Sequence, residues 1–119
     1  MARRTRSFEP NASQSVTLPS GQIAHGLHVE QSHRLARSFS EVCPSVWCFV
    51  GNGLSNQTFI DAPDGVIAID TGESIEEMNE AISELRKVSK RPIVAVMYTH
   101  FHYVDGTKAV VAENNGKQV

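Results

Sequence analysis

Ile93-Val94-Ala95-Val96-Met97-Tyr98-Thr99-His100-Phe101-His102-Tyr103-Val104-Asp105 is the stretch on which the reading of this chain turns. Its first six residues are too apolar for a half-exposed strand, so they predict a central parallel strand covered on both faces. The run then breaks into a loop that carries two imidazoles one residue apart. Imidazole is the commonest transition-metal side-chain ligand near neutral pH, and an i, i+2 pair at a strand end can turn two ring nitrogens toward one ion. Asp105 could take a further coordination position, or it could cap the helix that follows. For Tyr98, Phe101 and Tyr103, beside the histidines, aromatic packing is the expectation ahead of substrate contact.

Upstream of this stretch the hydrophobic period is helical. Ile75, Met78, Ile82, Leu85 and Val88 recur at three or four residues and define one face. Ser74-Ile75-Glu76-Glu77 is a capping box; Glu76, Glu77 and Glu80 lie near the positive end of the helix dipole, with Arg86, Lys87 and Lys90 at the other. Further back, the runs Val46–Val50, Gln57–Asp61 and Val66–Asp70 read as three short strands. They are separated by Gly51-Asn52-Gly53-Leu54-Ser55-Asn56 and by the tight turn Ala62-Pro63-Asp64-Gly65. The prediction is an α/β chain: an antiparallel meander followed by a right-handed βαβ unit. The 51–56 loop reads equally well as a plain hairpin connection and as a flap over a site. Trp47 is expected in the core.

Downstream, Thr107 to Glu113 reads as a second helix stopped by Asn114-Asn115-Gly116, with Lys117-Gln118-Val119 opening another strand. Such a sheet would keep an open edge and an uncovered face, which points to the N-terminal part of a larger protein. Residues 1–41 are expected to be an extension, irregular through residue 24, with a short helix from Val29 to Phe39 in which Glu30 precedes Arg34 by four residues. Residues 42–119 are expected to be the N-terminal part of one domain, truncated at its C-terminal side. His25, His28 and His33 match no ligand spacing and are read as surface histidines.

Composition narrows the class. With 119 residues and a net charge of −2, the chain is one domain at most and has no general attraction for nucleic acid or anionic membrane. Arg3, Arg4 and Arg6 read as a solvated tail. No stretch is long enough to cross a bilayer, and Ser7 to Gly21 supplies no apolar signal core. Cys43 and Cys48 fit neither a zinc-knuckle nor a redox spacing; they are expected reduced, half-buried and too far apart to bridge, which favours a cytoplasmic location.

Taken in order, the meander, Asp70-Thr71-Gly72, the capped helix, the apolar strand and Thr99-His100-Phe101-His102 resemble the first half of a metallo-β-lactamase-fold hydrolase. The likeness is greatest to the alkyl sulfatase branch. It runs through Gly51-Asn52-Gly53-Leu54-Ser55-Asn56, from Asp64-Gly65 to Asp70-Thr71-Gly72-Glu73-Ser74, and through Tyr98-Thr99-His100, and it covers about Val42 to Gly116.

The resemblance implies the N-terminal half of an αββα sandwich with a metal site at one end. Its histidine loop reads His-x-His-x-Asp-His, so His100 and His102 match the first two ligands. Val104 stands where the family has Asp, Asp105 where it has the next His, and Gly106-Thr107 replace a hydrophobic-Gly pair. Valine has no lone pair; either Asp105 substitutes as a ligand or the second metal is lost. Asp70 and Thr99 are expected to support the loop from behind.

The implied cofactor is one or two zinc ions, with manganese or iron as alternatives. Zinc lowers the pKa of bound water to roughly 7 and polarises the ester being cleaved. The implied substrate is a small-molecule sulfate ester with an aliphatic tail, and the expected partner is a second copy or the missing C-terminal segment. Two rivals stand beside this reading. One is another hydrolase of the fold, such as a lactonase, a thioesterase or a β-lactamase-like enzyme. The other is a non-catalytic fragment or binding module, favoured by Val104.

Overall fold

The stretch through residue 24, expected to be irregular, instead contains a small hairpin with Pro19 and Gly21 at its corner. The computed structural model describes residues 14–117 and 119, so Arg3, Arg4, Arg6 and Gln118 lie outside the described residues. The described residues fall into two compact units that divide between Leu35 and Ala36.

In the first unit, strand β1 (Ser15–Thr17) pairs antiparallel with β2 (Ile23–His25). Gly21 takes the left-handed φ of 82° that the turn needs. Helix α1 follows at Gly26–Arg34, earlier than the helix expected from Val29 to Phe39. His25 is its N-cap: Nδ1 accepts from the Leu27 amide at 3.2 Å, and Nε2 lies 2.8 Å from Gln14 Oε1. Glu30 and Arg34 form the expected i, i+4 pair at 3.6 Å.

The second unit is built on a five-stranded sheet, in the order β3 (Ser38–Cys43), β4 (Val46–Val50), β5 (Gln57–Ala62), β6 (Gly65–Ile69) and β7 (Ile93–Met97). Within this sheet, β3 is the strand not expected from the sequence. Leu35 and Phe39 are four apart and mimic a helical face, yet Phe39 pairs with Phe49 across β3 and β4. The reversal is tight: Pro44 leads into Ser45 at φ 67°, which turns the chain from β3 into β4. From β3 to β6 the strands are antiparallel, and β6 and β7 are parallel, as the meander and βαβ reading predicts.

Helix α2 (Ile75–Val88) makes that crossover. Ser74 Oγ accepts from the Glu77 amide at 3.1 Å; Glu77 reaches back to the amide of Glu73 at 3.0 Å, one residue before the cap. Its buried face is Met78, Ala81, Ile82 and Leu85; Ile75 and Val88, predicted for that face, are exposed near the ends. These residues pack with Phe49, Phe59, Val66, Ala68 and Ile93 of the sheet and with Ala109 and Val110 of α3 (Thr107–Glu113). Fully burying a Phe, Met or Leu contributes about 1.5–3 kcal/mol, so this one layer is the core of the unit. Trp47, expected in the core, is half-buried and is not one of the residues that form it.

The opposite face of the sheet carries Val46, Cys48, Val50, Ile60, Ile67, Ile69 and Ala95, all half-buried, and Met97, exposed; none reaches full burial. β7 is an edge strand here, and Val94 and Met97 are 40% and 57% exposed, so the expected burial on both faces is not observed. Residues 117 and 119 are not in a strand. Cys48 is half-buried, Cys43 is exposed, and both are free. No helix among the described residues is long and apolar enough to cross a membrane.

Candidate metal centre

Because β4 and β6 both run against β5, and β7 runs with β6, the C-terminal ends of β4, β6 and β7 share one end of the sheet. The loops that follow them, 51–56, 70–74 and 98–106, therefore emerge together. The 51–56 loop is tied down: Asn52 Nδ2 donates to the Glu77 carbonyl at 2.8 Å, and buried Gln57 donates to the Ser55 carbonyl at 3.1 Å. Leu54, at its tip, is exposed.

Asp70 ends β6 in the left-handed region, at φ 59°. That conformation costs a non-glycine residue roughly 1–2 kcal/mol, and aspartate is among the residues that adopt it most readily. The gain is direction. The Asp70 amide donates to the Met97 carbonyl at 2.8 Å. Its carboxylate, only 6% exposed as a residue, crosses to the start of the histidine loop. Oδ1 accepts from the Thr99 amide at 2.8 Å and Oδ2 from the Thr99 hydroxyl at 2.7 Å. Asp70 and Thr99 are thus joined through both carboxylate oxygens.

Thr71 and Thr107 were not foreseen. Thr71 is fully buried; its amide and hydroxyl both donate to the Tyr103 carbonyl, at 2.9 and 3.0 Å. The Thr107 hydroxyl donates to the Val104 carbonyl at 2.7 Å and accepts from the phenol of Tyr98. Threonines at strand and helix ends carry no distinctive spacing, so only the fold shows that these two close the loop. Gly106 completes the closure: a Cβ there would lie 1.9 Å from the Thr71 carbonyl oxygen and 2.6 Å from Met78 Cβ. Its signal was present in the sequence but was read as part of a departure from the family pattern.

Between these anchors the ligand candidates stand in solvent. Phe101 to Tyr103 form a short 3-10 helix, with His100 extended before it. The His100 and His102 rings are 5.2 Å apart, centre to centre, and nearly perpendicular, close enough for one nitrogen of each to address the same ion. His100 also packs edge-on against Tyr103 at 4.2 Å, and Phe101 lies against His102 at 3.9 Å but remains 76% exposed.

Asp105 is exposed and makes no hydrogen bond among the described residues; Gly106 is the N-cap of α3, and no side chain caps that helix. Two imidazoles suit zinc, iron or another first-row ion. No group of three or more His, Cys, Asp or Glu that could hold a metal is present among the described residues, whereas a catalytic zinc takes three protein ligands. The donor set fits part of a metal site.

Comparison with known proteins agrees with this geometry. Residues 50–103 match the family model of the metallo-β-lactamase superfamily. A linear primary-alkylsulfatase from Pseudomonas sp. is 47% identical over 60 residues, 49% of this chain and 11% of that protein. An (R)-specific secondary-alkylsulfatase from Pseudomonas sp. is 31% identical over 93 residues, 76% of this chain and 14% of that protein. This chain therefore spans about a tenth to a seventh of these relatives.

Among solved structures, the stereoselective inverting sec-alkylsulfatase Pisa1 from Pseudomonas sp. superposes with a TM-score of 0.59 at 28% identity, over 66% of this chain and 13% of that one. A double mutant of the sec-alkyl sulfatase gives 0.59 at 26% identity, over 70% and 14%. With its strand order, its Asp-Thr-Gly turn and its paired histidines, the chain is a portion of a metallo-β-lactamase-fold domain, similar to alkylsulfatases.

Proposed function

We propose that this chain supplies the first metal-binding loop of a metal-dependent hydrolase that cleaves alkyl sulfate esters. The observation that carries the proposal is the pair His100 and His102, 5.2 Å apart at the end of β7 and anchored from behind by Asp70 and Thr71. When bound, zinc (or manganese or iron in its place) would activate water near neutral pH and polarise the ester. His100 and His102 would hold it. Asp70 and Thr99 fix where the loop leaves the strand, and Thr71 fixes where it turns back. Exposed Phe101 and Leu54, on two of the loops at this end, offer apolar surface to an aliphatic tail.

The test is metal content per chain, followed by sulfate release from dodecyl sulfate by the whole protein that contains this segment. Bound metal lost in His100→Ala and in His102→Ala, with sulfate release lost alongside it, is the expected result. A whole protein that binds no metal overturns the reading. Val104, and the absence among the described residues of a group of three donors that could hold a metal, favour a second reading: a module that keeps the fold without catalysis. Stoichiometric metal with no sulfate release would select it.

A further inference from the structure

Proton counting around Thr99 goes further than its placement. The Asp70 carboxylate only accepts, and both its oxygens face donors on Thr99. The 2.7 Å contact at Oδ2 therefore uses the single hydroxyl proton of Thr99, in the strong geometry of a charge-assisted bond. Thr99 Oγ1 also lies 3.1 Å from His100 Nδ1. With its proton committed to Asp70, that oxygen has only a lone pair left to offer, so the proton between them belongs to Nδ1.

We infer that Thr99, with Asp70 behind it, is a positioning residue that holds neutral His100 as the Nδ1–H tautomer and leaves Nε2 as its only lone pair. Free histidine in water favours the opposite tautomer, so the protein imposes this state. His25 serves as an internal contrast. Its Nδ1 accepts from the Leu27 amide, so its remaining proton sits on Nε2 toward Gln14, and neither nitrogen is left for a ligand. The purpose assigned to the His100 tautomer, a preset nitrogen for a metal ion, rests on the proposed function; the tautomer itself does not.

The experiment is a long-range 1H–15N correlation spectrum of the metal-free, 15N-histidine-labelled chain at about pH 8, where ordinary imidazoles are neutral. His100 is assigned by its loss in His100→Gln. The expected spectrum has the Nδ1–H pattern for His100 and the Nε2–H pattern for His25. Thr99→Val, which keeps the branched shape without the hydroxyl, should shift His100 toward Nε2–H, and Thr99→Ser should restore the original pattern.

An Nε2–H pattern for His100 in the unmodified chain overturns the inference, as does a pattern unchanged in a folded Thr99→Val. If that variant does not fold, the unmodified spectrum decides alone. Failure of the whole protein that contains this segment to take up zinc, manganese or iron would count against the hydrolase reading and leave the tautomer measurement unmoved.

Discussion

The turn Asp70–Gly72 and the segment His100–Asp105 lie side by side and are bonded to one another, yet their surroundings are opposite. Asp70, Thr71 and Gly72 are all buried; His100, Phe101, His102 and Asp105 are all exposed. The buried turn is held by the Asp70 amide on the Met97 carbonyl, the Asp70 carboxylate on Thr99, and the Thr71 amide and hydroxyl on the Tyr103 carbonyl. The exposed segment holds the groups that would bind a ligand, and it depends on the turn for its shape. Stability and ligation thus reside in different residues, and substitutions can pull them apart.

The largest effect is expected at Gly106, which joins the two regions. Gly106→Ala drives a methyl group into the Thr71 carbonyl, where no side chain can move aside. A loss of about 3 kcal/mol in urea unfolding is expected, the upper end of the usual overpacking range. An unchanged midpoint would mean that the loop is not seated on the turn.

Asp70→Ala comes next. It removes both acceptors for Thr99 and leaves alanine at a positive φ, for an expected loss of about 2–3 kcal/mol. Asp70→Asn keeps an acceptor and tolerates that backbone, so it should recover at least half of the loss. Equal losses in the two variants would refute the role given to the backbone.

The smallest effect belongs to the exposed side. His102→Ala should change stability by less than about 0.5 kcal/mol, as surface substitutions usually do. Metal uptake by the whole protein carrying the same substitution should nevertheless fall below detection in an equilibrium titration. A large stability loss would show that His102 serves the fold and would erase the contrast between the two regions.

Much of this arrangement was legible in the sequence. Strict helical spacing gave α2, and Ser74 with Glu77 marked its start, because both signals are local. The meander was readable from apolar runs separated by glycine-rich and proline-containing turns. β3 was not, since Leu35 and Phe39 imitate a helical pair and only pairing with Phe49 reveals the strand. The exposure of β7 was missed for another reason: apolar composition records what a strand is suited to, whereas its neighbours decide what is buried.

At the loop, His100, His102, Asp70 and Thr99 stood out by residue type and order. Thr71, Thr107 and Gly106 act through contacts with residues about thirty positions away, and no local pattern announces such contacts. Asp105 could be read as a ligand or as a helix cap; its side chain does not cap α3.

The seating of Gly106 against Thr71 also changes how the histidine segment can vary. Its entrance is clamped at Thr99, its middle at the Tyr103 carbonyl and its exit at Gly106, while the side chains between point largely to solvent. It is a cassette with fixed ends. Donor residues could be exchanged at His100 and His102, or introduced at position 104, without rebuilding the sheet, so this loop is a natural starting point for grafting a different metal preference onto the same frame.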